Sequence, residues 1–461
     1  MKPVSADQLA KIINGRLITG ESESCFNGVG IDSRTIEPGE AFFAIAGENF
    51  DGHSYAASAI QKGAACIVVE REVDVPPQAL LIQVDNCVEA LAEFASWYRQ
   101  QLTAKVIAIT GSVGKTTTRQ MLHQVLSGSF KCRQARGSFN NHIGLPLTIL
   151  TAEPEDEILL VELGSNNLGE IEQLTAIANP DIAVITAVAS SHLAGFGSMD
   201  NIIKEKASIA CGLRQRGTLY VNGDQSDLLD YVKKHFGVSI ITFGETDGCD
   251  VRGIDLETTG GQGSLVIDRQ LLSVPLPGKA NLSNVLTTWS VCRDLGVSLP
   301  DFAESIQSLK SASMRLEIES VGPITILNDC YNANPASMAN ALSCLCSMAS
   351  NTGGKREVFI AGSMAELGPQ SDSLHKQLGQ KAISEGVGVL LAAGPFAEQI
   401  LRGAADSGQD AGLMCAFEKT EQLCDNLHKW VQPDDIILVK GSRSASLEQV
   451  VQRLRELFGN H

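Results

Sequence analysis

An α/β protein of three domains is what this sequence predicts, and three observations predict it. Its 461 residues exceed what one ordinary hydrophobic core organises, and at roughly 150 residues per domain the length suggests about three. From Val106 onward, short apolar runs rich in Val, Ile and Leu alternate with helical stretches, the pattern of a mostly parallel sheet. The first of these runs ends in a glycine turn followed by Lys-Thr-Thr, so a phosphate site is expected at that strand end.

In chain order, Ser5 opens an S-x-x-Q box with Gln8, and Leu9, Ile12 and Ile13 then precede Asn14-Gly15, which predicts a short capped helix. Residues 55–61 read as helix, 65–70 and 80–84 as strands, and 88–101 as an amphipathic helix. These form a small N-terminal α/β domain, 1–102. A central parallel-sheet domain, 103–313, contains the glycine turn and strands at 158–163, 182–186 and 217–221. Between 251 and 277 the pattern changes to glycine-rich short β segments, read as an edge addition to the central sheet, and a helix over 282–294 follows. A C-terminal Rossmann-like α/β domain, 314–461, has strands at 324–327, 358–361, 387–392 and 436–439, and its last helix carries Leu447, Val450, Val451 and Leu454 on one face. There is no internal repeat and no low-complexity tail.

Composition narrows the function. The net charge of -17 argues against a nucleic-acid partner, because binding a phosphate backbone needs clustered Lys and Arg. No apolar run is long enough to cross a bilayer and no charged-then-apolar leader opens the chain, so a cytoplasmic location is expected. The 12 cysteines are scattered, several within apolar segments (Cys66, Cys292, Cys344), without CxxC pairs or zinc spacing. They read as reduced, buried thiols.

The segment Val106-Ile-Ala-Ile-Thr110-Gly111-Ser112-Val113-Gly114-Lys115-Thr116-Thr117 is a strand, a glycine turn and a helix start. Backbone N–H groups and the helix N-terminus face an anion in such a turn. Gly111 and Gly114 permit the tight backbone, Lys115 is suited to the terminal phosphates of a nucleotide, and the Thr116 hydroxyl to magnesium. The strict Walker pattern has a further glycine five positions before Gly114, where this chain has Ile109. Glu162, closing an apolar strand, is expected to point into the cleft at the carboxyl edge of the sheet. The residues alone leave open a phosphate-loop kinase or motor ATPase and a non-catalytic nucleotide-binding protein.

In its shortened form T-G-S-x-G-K-T resembles the Mur ligase family, and further motifs from Asp32 to Arg443 resemble the same family. They are Gly137-Ser-Phe-Asn140-Asn141-His-Ile-Gly144-Leu-Pro146, Val161-Glu162-Leu-Gly164, Ser191-His192-Leu-Ala-Gly-Phe-Gly-Ser198, Arg315-Leu-Glu317 and Asp329-Cys-Tyr331-Asn332-Ala-Asn334-Pro335. The last is the most discriminating and looks like the branch of the family that joins D-alanyl-D-alanine to UDP-N-acetylmuramoyl-tripeptide. The Asp-Asn-Pro-Arg motif of the tripeptide-forming branch is absent. At the N-terminus, Asp32-Ser33-Arg34 and Gly47-Glu-Asn-Phe-Asp51-Gly52-His53 resemble that branch's UDP-sugar end. Two motifs depart from the family: its Gly-x-His-Asn is Gly278-Lys279-Ala280-Asn281 here, and its Gly-Asp-Met is Gly362-Ser363-Met364.

The resemblance implies an ADP-forming ligase that uses ATP and two magnesium ions and passes through an acyl phosphate. It implies nucleotide binding by Thr110 to Thr117, Asn281, Arg315, Asp329, Tyr331 and Asn334, and catalysis by Lys115, His192, Lys206 and Arg315. Metal contacts are implied for Thr116, Glu162, His192 and Lys206, the last carbamylated by carbon dioxide. Substrate contacts are implied for Ser33, Arg34, Gly47, Asp51, His53, Asn140 and Asn141. A monomer that closes around ATP is expected, since Lys115 and Arg315 fall in different domains. Chemically the set is coherent. Phosphoryl transfer is mostly positioning and charge neutralisation, and carbamylation turns a lysine that would repel magnesium into a carboxylate that can bind it.

Overall fold

The computed structural model describes all residues except 21–22, 48, 260, 408–412 and 460–461, and at 255 the backbone alone. Three large sheets follow one another along the chain, with a two-stranded ribbon of Val4–Ser5 and Cys25–Phe26 beside the first. Glu48, within one of the N-terminal motifs, lies outside the described residues.

The first sheet has the order Arg16–Thr19, Leu81–Gln83, Cys66–Val69, Glu40–Phe43, Gly28–Gly30, parallel except for its first strand. Ser5 caps the helix Ala6–Ile12, its hydroxyl accepting from the Gln8 N–H at 3.2 Å. The helix Cys87–Gln101 packs its buried face, with Leu91, Phe94, Ala95 and Tyr98, into a core that continues into the second sheet's layer through Leu145, Ile149 and Ile171. Arg99, fully buried, fastens this junction: its guanidinium donates to the carbonyls of Ala178 (2.9 Å) and Asn179 (3.0 Å) and to the Asp181 carboxylate (2.8 Å).

The second sheet has nine strands in the order Gln270–Val274, Gln262–Ile267, Val251–Thr259, Ser239–Gly244, Thr218–Asn222, Ile182–Ile185, Lys105–Thr110, Ile158–Glu162, Cys132–Gln134. All pairs are parallel except the two formed by the last three strands in sequence. Those three are the glycine-rich segments, and they sit at the sheet edge. Lys105–Thr110 lies between Ile158–Glu162 and Ile182–Ile185, where the direction of the crossover connections reverses, the usual position of a ligand crevice in an open parallel sheet. The helix expected over 282–294 begins earlier and runs Lys279–Asp294.

The third sheet has the order Glu317–Val321, Ile324–Asp329, Ile436–Lys440, Glu357–Ala361, Val389–Ala393, Leu413–Phe417, again parallel except at its first edge. Glu317–Val321 and Leu413–Phe417 are not expected from sequence. Both are edge strands without a fully buried apolar run. The final helix, Glu448–Phe458, buries Val450, Val451 and Leu454 as its apolar face predicts. All 12 cysteines are free thiols, and burial pushes Cys66 and Cys344 up to about 12. Among the described residues no helix is long and apolar enough to cross a membrane.

Removing Arg99 would take a fully buried cation from Asp181 and its donors from the carbonyls of Ala178 and Asn179. Arg99→Met is therefore expected to cost about 3 kcal/mol. Arg214→Ala, which removes a half-exposed partner of the same carboxylate at 3.4 Å, is expected to cost about 1 kcal/mol or less. Urea unfolding of the two variants checks the contrast.

Candidate active site

The strand Lys105–Thr110 is buried on both faces and delivers the chain to Gly111 at the carboxyl edge of the sheet. The turn is held from behind. Ser112 donates its N–H to the Ala187 carbonyl (2.7 Å) and its hydroxyl to that of Ala189 (2.9 Å), while the Thr186 hydroxyl donates to the Val113 carbonyl (2.6 Å). Thr110 is turned away from the crevice, its hydroxyl donating to the Leu163 carbonyl at 2.8 Å. Gly114, at φ +87°, starts the helix Lys115–Leu126, and a β-carbon there would collide with the Asn284 side-chain oxygen. Glycine is required on both counts.

Thr116 and Glu162 come together. The Thr116 hydroxyl donates to the Glu162 carboxylate at 2.9 Å, and the side-chain amide of Asn140 donates to the other oxygen at 2.9 Å. Glu162 is almost fully buried. Two hard oxygen donors side by side, one of them an anion, fit magnesium, which usually takes one or two protein ligands and fills the rest of its shell with phosphate oxygens and water. Among the described residues there is no cluster of three or more His, Cys, Asp or Glu side chains that could hold a metal unaided.

A cavity of about 720 Å³ opens over this point, lined by Ser112 to Thr117 and His192 on one side and by Arg315, Asp329, Tyr331, Asn334 and Lys440 on the other. Its two walls belong to different sheets. Arg315 crosses between them: its guanidinium lies 3.3 Å from the Thr116 hydroxyl and 4.1 Å over the Tyr331 ring. The Tyr331 hydroxyl in turn meets Ser138. Asp329, at the end of its strand, is paired with Lys440 at 2.5 Å and accepts the Leu316 N–H at 3.1 Å. Burial pushes its carboxyl up, against the pull of Lys440. Asn334 lines the cavity and also caps the helix Pro335–Asn351. Asn281 is on the same wall as Gly114, its amide donating to the Pro277 carbonyl at 2.7 Å.

Lys206 does not line the cavity. It lies fully buried in the layer beneath, with its Nζ donating to the Ser165 hydroxyl at 2.7 Å and 5.2 Å over the Phe196 ring. Burial, reinforced by the charge of Lys115, holds its amine down to about 7. Lys115 is likewise held below its ordinary value by burial, and its Nζ donates to the Gly111 carbonyl at 2.7 Å.

The N-terminal candidates are not drawn into the cavity. Arg34 pairs with Asp32 at 2.7 Å on the surface, an interaction that holds the Asp32 carboxyl down to about 2, and Ser33 beside them is buried. The Gly47 N–H donates to the Phe50 carbonyl (2.8 Å), which closes a tight loop. His53 is buried with both ring nitrogens engaged, Nδ1 by Asp51 (2.8 Å) and Nε2 by the Glu70 N–H (2.9 Å). Asn141 caps the turn before Gly144, accepting that residue's N–H at 2.9 Å.

Three residues at the site are missing from the sequence reading. Lys440 closes an apolar strand just as Glu162 does, so the same signal pointed to it. Arg119, one turn beyond Lys115, is fully buried, 3.5 Å from Glu162, and donates to the carbonyls of Ala135 (2.6 Å) and Gly137 (2.8 Å). Glu366 meets His192 across the cavity.

A phosphate-loop sheet facing a second α/β unit across a shared polar cavity defines a nucleotide-dependent enzyme of the two-walled type. Its family follows from comparison with known proteins. Models described as the Mur ligase family catalytic domain, Mur ligase middle domain, and Mur ligase, glutamate ligase domain match residues 26–99, 109–292 and 314–443. A Bacillus subtilis protein named UDP-N-acetylmuramoyl-tripeptide--D-alanyl-D-alanine ligase is 32% identical over 97% of both chains. Among solved structures, MurF from Acinetobacter baumannii superposes with a TM-score of 0.88 at 29% identity, covering 99% of both chains. The Thermotoga maritima MurF ligase in complex with ADP gives 0.81 at 26% identity, covering 93% of this chain and 97% of that one. The chain belongs to the Mur ligase family.

Gly114→Ala must place a methyl group in left-handed backbone, at about 1–2 kcal/mol, and also displace Asn284. The expected result is at least about a tenfold loss of ADP affinity, measured by calorimetry.

Proposed function

We propose that this chain is the ATP-dependent ligase that joins D-alanyl-D-alanine to the carboxylate of UDP-N-acetylmuramoyl-tripeptide, releasing ADP and phosphate, in peptidoglycan precursor synthesis. The observation that carries the reading is the meeting of Thr116, Glu162 and Arg315 at one cavity between two sheets, in a chain that matches ligases of that name from end to end. The enzyme works in the cytoplasm as a monomer, and its domains are taken as 1–102, 103–313 and 314–461.

A carboxylate is a poor acylating agent, because its oxygen is a poor leaving group. Moving the γ-phosphate of ATP onto the tripeptide carboxylate makes an acyl phosphate, and the amine of D-alanyl-D-alanine then displaces phosphate. Magnesium, two ions in this reading, neutralises phosphate charge when bound. Around it the loop N–H groups and Lys115 bind the β- and γ-phosphates, and Thr116 and Glu162 offer the oxygens for one ion. Arg315 faces the transferring group from the opposite wall. Asn281 reaches toward the base, and Asp329, Tyr331 and Asn334 shape the nucleotide's other side. Asn140 orients Glu162. His192 and Lys206 would hold the second ion, Lys206 after its neutral amine has added to carbon dioxide, with loss of one proton, to give a carbamate. Ser33, Arg34, Gly47, Asp51, His53 and Asn141 belong to the muramoyl substrate's end. Arg34 has an exposed side chain for direct contact, whereas Asn141 and His53 hold the turns that would make it.

The decisive assay is phosphate release with purified protein, ATP and magnesium. Release should require the tripeptide and the dipeptide together; turnover on a free amino acid in place of the dipeptide, or without any acceptor, would point to another enzyme. Lys206→Ala is expected to lose about 100-fold or more in turnover, with partial recovery on adding short carboxylic acids, since these can fill the vacated ligand position. Because the amine is held at about 7, its neutral, carbamate-forming fraction grows as pH rises through that value and shrinks below it. At fixed dissolved carbon dioxide, kcat should therefore fall on the acid side of about 7, and the Lys206→Ala enzyme rescued by a carboxylic acid should lose that limb.

A further inference from the structure

The loop that follows the strand Glu357–Ala361 reaches across the cavity and docks on the turn beginning at His192. The Glu366 carbonyl accepts the Ala194 N–H at 3.0 Å, and its carboxylate meets Nδ1 of His192. Gly368, in left-handed backbone, lies close against Ala194, where a larger residue would press on the main chain. Both partners of the side-chain contact are non-glycine residues in the left-handed region, His192 at φ +51° and Glu366 at φ +61°. Each such residue is held against an intrinsic steric cost, which the docked arrangement offsets.

The chemistry of the contact fixes a proton. The contact sets a carboxylate oxygen, a hydrogen-bond acceptor, against Nδ1 of His192, so Nδ1 is the nitrogen that donates and carries the proton. With the proton on Nδ1, Nε2 is the nitrogen left for the cavity that His192 lines, and it has no hydrogen-bond partner among the described residues. We propose that Glu366 is a positioning residue for His192: its carboxylate selects the Nδ1–H tautomer and keeps the Nε2 lone pair for the reaction site, and since Glu366 comes from the C-terminal unit, docking of that unit completes the histidine's orientation. Carboxylates and carbonyls behind ligating histidines act in this way generally. The inference rests on the ligase reading for its kinetic consequence, though not for the tautomer.

Glu366→Ala and Glu366→Gln test it in the full-length protein. The nitrogen-15 shifts of the His192 ring, assigned by their loss in His192→Asn, should report Nδ1–H in the parent protein and in Glu366→Gln, whose amide oxygen can still accept. In Glu366→Ala they should move toward the Nε2–H tautomer or a mixture. Turnover should fall about 10- to 100-fold in Glu366→Ala, chiefly in kcat with KM for ATP little changed, and recover in part in Glu366→Gln. An Nε2–H signal in the parent protein, or an unchanged tautomer and kcat within twofold in Glu366→Ala, would overturn the proposal. A parent protein with no ligase turnover but with the expected tautomer switch would instead remove the proposed function and leave the positioning role standing.

Discussion

The contact between the Thr116 hydroxyl and the Glu162 carboxylate is where the rest of the molecule converges. It exists because Lys105–Thr110 and Ile158–Glu162 are adjacent parallel strands in a register that pairs Ile109 with Glu162. One strand then continues through a glycine turn into a helix and the other stops at its acidic residue. Neither arrangement would form without the apolar strands on either side, which bury Val106 to Ile109 and Ile158 to Val161 completely or nearly so. A charged side chain at the end of such a strand is tolerable only if it is hydrogen-bonded or paired. Here Thr116 and Arg119, one turn apart on the helix Lys115–Leu126, share that task with Asn140 from the loop before Gly144.

The second wall is built by the same logic. Asp329 and Lys440 end adjacent parallel strands of the third sheet and are paired directly in register, so two charges that would be costly alone stabilise one another at the mouth of that sheet. Two sheets thus present their carboxyl edges to a common space, and Arg315 and the Tyr331 hydroxyl span it. Because the contacts across the space come from Thr116, Ser138 and His192 on one side and Arg315, Tyr331 and Glu366 on the other, any hinge movement between the units would separate groups that the chemistry needs together.

Much of this is legible in the sequence, for reasons that differ by residue. The phosphate loop is readable because each position demands a particular residue type: glycine for left-handed backbone at Gly114, a hydroxyl at Thr116, an ammonium at Lys115. Strands such as Ile182–Ile185 are readable because a strand buried on both faces is an unbroken apolar run. Arg16–Thr19, Glu317–Val321 and Leu413–Phe417 are not, since edge strands are only half covered and carry no such run. Arg119 is hidden for another reason. On a helix that also carries Lys115, three threonines and two glutamines its charge suggests a solvated face, and only the fold shows that this side of the helix is buried against Glu162 and the loop at 135–137. His53 is the converse case, a motif residue whose ring nitrogens are both spent on holding its own loop.

Charge explains why the cavity can do phosphate chemistry in a protein of net charge -17. Lys115, Arg119, Arg315, Lys206 and Lys440 surround it or lie just beneath it; burial holds the first, second and fourth below their ordinary values, against the pull of Glu162 on Lys115 and Arg119 and with neighbouring cations adding to it. The carboxylates at the cavity are already engaged, Glu162 by Thr116 and Arg119, Asp329 by Lys440 and Glu366 by His192, which leaves Lys115 and Arg315 without a carboxylate partner among the described residues. An entering polyphosphate therefore meets uncompensated positive charge in a partly dry site, where each charge-assisted hydrogen bond is stronger than in water. The acidic remainder of the surface does not oppose this at close range, because salt screens exposed charges beyond about 10 Å. The same concentration of cations adds to burial in favouring a neutral amine at Lys206, so a group that attracts the nucleotide, Lys115, also loosens the proton of a lysine buried beneath the cavity.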